Sequence, residues 1–403
     1  MKLDHKKNDG YFKIMSTILD YITWRGDLSL DIVPFNEIDA LIFCEFAYLK
    51  LQDIVPSSFD STSISLRDAA ALFFTAPDVE ARSDIGILFG DTVVELFKLM
   101  AATERYGSLQ LCGFVEHLDI VHEKQFAALT VKLGDGTFFV VFRGTDDSLV
   151  GWKEDFNMCF MTPVPSHQEA LDYLVHAASR LSGKIRVGGH SKGGNLSVFS
   201  ATFCGKKLQK RICNVYNFDG PGFELNIQGA TEFQEISHCV QRFVPDQSVV
   251  GLLLEQDGDY VVVKSHEFGL MQHNLLSWEL AGPHFMEVER LADSSVIIDR
   301  SVKSWLQEHS SEQREQFVEA LYTLFTSSQA TTFSELAEQW KKNPAKVLSC
   351  LLSVDSQTRK NVIHAMYELF RATHQEIKLD VKNWLQERIQ ERIAPPAVIS
   401  EDS

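Results

Sequence analysis

The chain has 403 residues, of which 45% are hydrophobic and 23% charged, a composition typical of a globular protein with a sizeable core. Its formal net charge of −17 disfavours nucleic acid and anionic membrane surfaces as partners, because a long-range repulsive field opposes both. The seven cysteines are scattered and never form a Cys-x-x-Cys pair, so neither a zinc site nor a disulfide framework is indicated, and no metal or cofactor is expected. Without a signal-type apolar core or a run of about 18 apolar residues, we expect no stable membrane insertion and a cytoplasmic location.

Residues 1–106 are expected to form a mainly helical segment that packs on the rest of the chain. Asn36 precedes an apolar-rich stretch and predicts a helix that begins there and runs to Leu51. Ser65, with Asp68 three residues later, predicts the cap of a second helix. Further helices fit residues 79–88 and 91–104.

The pattern changes near Leu109, where strand-like runs begin. The first three runs are 109–117, 126–133 and 137–142, and Gly134 to Gly136 predicts a tight hairpin turn between the last two. Helices and strands then alternate, with helices at 166–181 and 194–205 and strands at 184–188, 212–218, 237–243 and 260–264. Alternation of this kind predicts an α/β fold, a mostly parallel sheet covered by helices on both faces, over residues 107–285.

Beyond about residue 286 the strand signal disappears, and residues 286–393 predict a helical C-terminal module. The predicted helices are 299–309, 311–326, 332–342, 344–352, 355–372 and 375–392. Residues 314–325 and 359–370 resemble each other weakly, which two amphipathic helices of one period explain as well as a helical repeat does. The module is a candidate binding site for a protein partner, and residues 394–403 are expected to form a disordered tail.

The stretch from Gly188 to Asn195 carries the strongest chemical signal. It contains Gly-x-Ser-x-Gly directly behind a predicted strand and before a predicted helix. In that context the glycines permit a sharp turn that exposes the hydroxyl of Ser191 as a nucleophile. The amide of Lys192 then points from a helix N-terminus to the place where an oxyanion would form.

A nucleophilic serine needs an acid and a base, and in this fold both follow it in the sequence. Two aspartates come directly after strands, Asp219 and Asp246. Asp246 lies one strand later, the usual place for the acid, and is the preferred candidate, with Asp219 as the alternative. Three histidines follow the last predicted strand, and His273 is preferred over His266 and His284 because its loop has room to reach the serine.

A second oxyanion donor is expected from the end of an earlier strand. The strand at 137–142 ends in Arg143-Gly144-Thr145, and Thr145 can offer both its amide and its hydroxyl. A simple turn is the alternative interpretation of Gly144-Thr145.

Four motifs together resemble those of the class 3 (fungal triacylglycerol-type) lipases. They are Val141-Phe142-Arg143-Gly144-Thr145, Trp152-Lys153-Glu154-Asp155-Phe156, Gly189-His190-Ser191-Lys192-Gly193-Gly194 and Val244-Pro245-Asp246. The resemblance implies an α/β-hydrolase fold in which Thr145 belongs to the oxyanion hole, Ser191 is the nucleophile and Asp246 orients the histidine. With residues 36–41, Gln272-His273 and Trp278, the chain is more similar still to the Mbeg1-like proteins, a bacterial group of lipase-like proteins assigned to a domain of unknown function.

The chain departs from the class 3 lipase pattern in three respects. Lys192 stands where the lipases often have an apolar residue, the stretch from Asp246 to His273 is short, and no secretion signal is expected. These departures concern the substrate and interfacial activation more than the triad.

The sequence therefore predicts a serine hydrolase that cleaves carboxylic esters, with an acyl-chain or lipid substrate. A thioesterase, an amidase or an acyltransferase would use the same residues. The alternative from a different class is a non-catalytic scaffold, in which the hydrolase fold is a platform and the helical module binds a protein.

Overall fold

The computed structural model describes residues 16–60, 62–86, 92–225, 227–255, 258–326, 330–342, 356 and 359–360. Within those ranges the helices are all too short or too polar to span a lipid bilayer. The predicted helices 344–352, 355–372 and 375–392 and the predicted tail 394–403 lie outside the described residues, apart from positions 356, 359 and 360.

The described residues form one eight-stranded sheet whose strands lie side by side in sequence order. The strands are β1 (Ile64–Ser65), β2 (Gln110–Asp119), β3 (Lys124–Lys132), β4 (Thr137–Phe142), β5 (Lys184–His190), β6 (Ile212–Phe218), β7 (Val240–Pro245) and β8 (Val261–Val263). Strands β1 to β4 pair antiparallel and β4 to β8 pair parallel. A separate ribbon pairs β9 (Leu280–Ala281) with β10 (His284–Phe285).

Helices cover both faces of this sheet. They are α1 (Ile18–Arg25), α2 (Glu37–Phe46), α3 (Leu66–Thr75), α4 (Val79–Ser83), α5 (Thr92–Ala102), α6 (Glu104–Gly107), α7 (Leu149–Asn157), α8 (Pro165–Arg180), α9 (Lys192–Phe203), α10 (Lys206–Gln209), α11 (Thr231–Ile236), α12 (Asp293–Glu308), α13 (Ser311–Thr326) and α14 (Phe333–Lys342). The mostly parallel α/β fold with helices on both faces is thus confirmed.

Strand β4 shows how the two faces are divided. Phe139 and Val141 pack into a core with α1, α2, α3 and α5, whereas Phe138, Val140 and Phe142 pack into a second core with α8, α9 and α11. Because side chains alternate along a strand, a hydrophobic run such as this one indicates a strand buried on both faces. The N-terminal helices therefore form one of the two layers around the sheet.

Local signals explain several boundaries. The side chain of Asn36 accepts hydrogen bonds from the amides of Ile38 and Asp39, and Asp39 accepts one from the Asn36 amide, which caps α2 at the predicted residue. Gly134 and Gly136 have φ values of 83° and 79°, which form the turn between β3 and β4.

Several predicted elements differ in the structure. Helix α2 ends at Phe46 and not at Leu51, and α12 begins at Asp293 and not at residue 299. Residues 237–239 form a 3-10 turn, and the strand begins at Val240. Helix α4 ends at Ser83. The loop that carries His273 contains two short 3-10 segments, Gly269–His273 and Leu275–Ser277.

The C-terminal helices pack against α7. The backbone amide of Leu149 donates to the carbonyl of Thr331 (3.0 Å), and the Trp152 ring stacks on Phe333 with 4.9 Å between centroids. Lys153 forms an ion pair with Glu319 of α13 (2.7 Å). The predicted module therefore contacts the α/β core through the helix that follows Thr145.

Candidate active site

Ser191 lies at the sharp turn between β5 and α9. Its backbone has φ 57° and ψ −129°, a strained conformation for a residue with a side chain. The flanking glycines make the turn sterically possible, because a Cβ on Gly189 would lie 2.2 Å from the Gly193 carbonyl carbon and one on Gly193 would lie 2.1 Å from the Phe142 oxygen. The turn has the geometry of a nucleophile elbow.

His273 and Asp219 form a hydrogen-bonded pair near this turn. The distance from His273 Nδ1 to Asp219 Oδ2 is 2.6 Å, and the His273 side chain is 21% exposed. Since an ionised carboxylate only accepts hydrogen bonds, Nδ1 carries the proton and Nε2 is left as the basic nitrogen. Within the described part of the chain, Ser191 Oγ makes no hydrogen bond to the imidazole. Hydrogen bonds between catalytic groups are often long or poorly aligned in structures without substrate.

Asp219 is held by a network of donors. It is buried at the end of β6 with φ 50°, and its Oδ1 accepts from the Ser248 hydroxyl (2.5 Å) and the Gly251 amide (3.1 Å). These donors come from the loop that follows β7. The carboxylate is thereby oriented towards the imidazole.

The structure does not bring Asp246, the preferred candidate acid, together with His273. Its amide donates to the Val263 carbonyl (3.0 Å), and its Oδ1 is buried with no hydrogen-bond partner in the described part of the chain. Burial raises the pKa of Asp246, whereas the side chain of Gln272 lowers it. The carboxylate that meets His273 is Asp219, because the turn at its positive φ and the donors on the next loop aim it there.

The other two candidate bases lie elsewhere. His284 Nδ1 is 3.1 Å from Glu37 Oε1 in an exposed pair. The His266 amide donates to the Ser277 carbonyl, and its Nδ1 is buried with no partner among the described residues. Of the three histidines, His273 is the one that the structure pairs with an aspartate beside the elbow.

The loop containing Thr145 contacts the elbow from the other side. A Cβ on Gly144 would lie 3.2 Å from the Cβ of Ser191. Across the described residues, the amides of Thr145 and Lys192 donate to no protein acceptor. Both amides remain available to a ligand.

The Thr145 hydroxyl is already engaged. It donates to the carboxylate of Asp155 on α7, at 2.6 Å from Oδ2. Burial raises the pKa of Asp155 to about 6, against the lowering effects of Lys192 and of this hydrogen bond. While Asp155 is ionised the single hydroxyl proton serves that carboxylate, so the amide is the group that Thr145 can offer to an oxyanion.

The side chain of Lys192 is buried beneath the elbow, away from solvent. Its Nζ donates to Gln125 O (2.8 Å), Gln125 Oε1 (2.7 Å) and Glu154 Oε2 (3.0 Å). Glu154 also accepts from the amides of Gln125 and Ser166. A buried charge persists only when it is paired and hydrogen-bonded, and this network meets that requirement.

Sequence reasoning missed several groups that hold the site. Ser248 and Gly251 support Asp219, and the roles of Asp155 and of the Lys192 side chain were not assigned. The motif around Trp152 signalled that the segment mattered, while nothing local signalled Ser248. No group of three or more His, Cys, Asp or Glu side chains in the described part of the chain is arranged to hold a metal ion.

The chain was compared with curated sequences and with solved structures. A search of curated protein sequences finds no match. Among solved structures, the crystal structure of M37 lipase is 15% identical, with a TM-score of 0.36 over 54% of this chain and 70% of that chain. The Rhizomucor miehei lipase propeptide complex is 14% identical, with a TM-score of 0.28 over 56% of this chain and 80% of that chain.

The family comparison matches the middle of the sequence. The matching segment runs from α5 into α13 and includes the elbow, both loops that flank it and the start of the C-terminal helices. It extends past residue 285, where the hydrolase core was predicted to end. The Mbeg1-like model matches residues 100–323, more than half of the chain, and the chain therefore belongs to the Mbeg1-like family.

Proposed function

We propose that this protein is a serine hydrolase that cleaves carboxylic esters, with Ser191, His273 and Asp219 as its triad. The observation that carries the proposal is the Asp219–His273 hydrogen bond of 2.6 Å beside a serine with φ 57°. A strained serine, an imidazole and a buried carboxylate are the three groups that acyl transfer through serine requires.

In the proposed reaction Ser191 Oγ attacks the ester carbonyl, and His273 Nε2 takes the hydroxyl proton. Asp219 keeps Nδ1 protonated and stabilises the imidazolium. The amides of Thr145 and Lys192 donate to the oxyanion of the tetrahedral intermediate. Collapse expels the alcohol, which takes the proton from His273, and leaves an acyl-enzyme. Water then repeats the sequence, releases the acid and restores Ser191.

An apolar acyl chain is the substrate class we favour. Phe268, Leu270 and Met271 lie directly before His273, and their side chains are exposed. Exposed apolar side chains clustered beside a reactive site are commonly binding surfaces. A small-molecule ester or a lipid therefore fits the proposal.

The test combines covalent labelling with turnover. We expect a fluorophosphonate to modify wild-type protein at Ser191, as located by mass spectrometry, and Ser191→Ala to lose labelling and at least about 10³-fold in turnover of p-nitrophenyl esters. Ser200→Ala, on the same helix, is the matched control and should keep both, since its hydroxyl donates only within α9. Turnover retained in Ser191→Ala contradicts the proposal, and an unlabelled wild-type protein favours a non-catalytic platform.

Acyl chains from short to long, with matched thioesters and anilides, then define the substrate. We expect the highest kcat/KM for an ester with a medium or long acyl chain. Added alcohol or amine acceptors that divert the product from acid to new ester or amide would indicate an acyltransferase.

A further inference from the structure

The residue before the serine, His190, lies between two other polar rings. Its side chain is buried, with Nδ1 2.9 Å from the hydroxyl of Tyr48 and Nε2 2.8 Å from the backbone oxygen of His273. The His190 and His273 rings are 4.4 Å apart between centroids. His190 therefore connects the strand that carries the nucleophile to the loop that carries the base.

The two contacts allow one protonation state of His190. A carbonyl oxygen only accepts hydrogen bonds, so Nε2 carries a proton and donates to His273. Burial and the charge of His273 hold the pKa of His190 well below its usual range, so the ring is neutral and Nδ1 has no proton. Nδ1 must then accept from the Tyr48 hydroxyl, which selects this tautomer.

The loop that His190 contacts has little regular structure of its own. His273 ends the short 3-10 segment Gly269–His273. Asp219 fixes the ring of His273 at Nδ1, and the Trp278 indole donates to the Gln272 carbonyl (2.9 Å). His190 adds the contact to the backbone of His273 itself. Together these three hydrogen bonds fix where Nε2 of the base lies relative to Ser191.

We propose that His190 is a positioning residue, which holds the backbone of His273 in register with Ser191, and that Tyr48 acts through it by selecting its tautomer. The inference rests on the proposed function. It assigns the variable position of Gly-x-Ser-x-Gly a role in placing the base, and it makes Tyr48, in the turn after α2, part of the active-site support.

The kinetic test uses the full chain with three single variants. His190→Gln keeps an N–H donor near the position of Nε2, and His190→Met removes that donor. Tyr48→Phe removes the hydroxyl alone. Because a displacement of about 1 Å can cost 10²-fold, we expect His190→Met to lower kcat by about 10–100-fold with KM changed by less than about 3-fold. His190→Gln should recover most of kcat, and Tyr48→Phe should lose about 3–10-fold.

A double variant separates positioning from simple packing. If Tyr48 acts through His190, adding Tyr48→Phe to His190→Met should lower kcat no further. Full additivity of the two losses, or equal kcat for the Gln and Met variants at equal Tm, would overturn the proposal. Should His190→Met fail to fold, Tyr48→Phe decides the matter, and a Tyr48→Phe variant with the kcat and the Tm of the wild type would overturn the proposal.

A measurement without turnover keeps this inference distinct from the proposed function. Proton NMR should show a downfield Nδ1–H resonance from the His273–Asp219 hydrogen bond, absent in His273→Gln. We expect it to weaken in His190→Met and to persist in His190→Gln, and an unchanged resonance in His190→Met would contradict the proposal. If the resonance follows this pattern across the variants but the wild-type protein hydrolyses no ester, the proposed function is refuted and the positioning role remains.

Discussion

Asp219 and Asp246 follow the neighbouring parallel strands β6 and β7, and the fold uses the two carboxylates differently. Asp219 is buried and accepts from the Ser248 hydroxyl, the Gly251 amide and the His273 imidazole. Asp246 has one carboxylate oxygen buried without a hydrogen-bond partner in the described part of the chain. The loop that begins at Asp246 supplies two of the donors that hold Asp219.

The difference shows what makes a carboxylate suitable as the acid of a triad. Both aspartates lie at the end of a strand, so this position alone does not determine which of them pairs with the histidine. What distinguishes Asp219 is a backbone turn at φ 50° and a set of donors that fix its orientation towards one imidazole. In the proposed triad, the loop after β7 thus supports the acid, Asp219, instead of providing it.

The largest expected effect comes from exchanging each carboxylate for its amide. Asp219→Asn should lower kcat by about 10³–10⁴-fold, because the amide no longer selects the His273 tautomer with the proton on Nδ1. Asp246→Asn should change kcat by less than about 3-fold. Steady-state hydrolysis of a p-nitrophenyl ester checks both, and a larger loss in Asp246→Asn would restore Asp246 as the acid.

A smaller effect is expected when a methyl group is added to the loop that holds Asp219. A Cβ on Gly251 would lie 2.2 Å from Asp219 Oδ1, so Gly251→Ala should displace the carboxylate and lower kcat by about 10–100-fold. Val250→Ala, on the same turn, is the matched control and should leave kcat within a few-fold. Equal activity in the two variants at equal Tm would show that the contact with Asp219 does not matter.

The smallest effect concerns stability and pH. Burial raises the pKa of Asp246, so the folded state binds its proton more tightly than the unfolded state, and this contribution to stability is lost as pH rises through the folded-state pKa. Asp246→Asn should therefore raise Tm slightly at pH 7, by at most a few degrees, and less at pH 4.5. Thermal unfolding at both pH values checks this, and a Tm gain that does not grow with pH would contradict it.

The elbow, the hairpin and the cap of α2 could be predicted because each depends on residues that are close in sequence. Gly189 and Gly193 are required by atoms of their own turn and of the neighbouring strand, and Asn36 caps the helix that it begins. The alternation of helices and strands likewise predicted the sheet and the helices that cover its two faces.

The pairing of Asp219 with His273 and the supports of the site could not be predicted, because they depend on loops that meet only after folding. Ser248 is 29 residues from Asp219, and Tyr48 is 142 residues from His190. Lys192 was recognised as a departure from the lipase pattern, but its burial with Glu154 depends on α7 and β3 lying beneath the elbow. The Gly-Pro-Gly run after Asp219 was a visible sign of an unusual turn there.

The contact between α7 and the C-terminal helices can form only late in the synthesis of the chain. Asp147 accepts from the amide of Ser334, 187 residues later in the chain, and Phe333 stacks on Trp152. On the ribosome the segment that bears Glu154 and Asp155 is synthesised long before these partners emerge. The contacts between the C-terminal helices and α7, the helix that carries Asp155, can therefore form only after the segment with Ser191 has been synthesised.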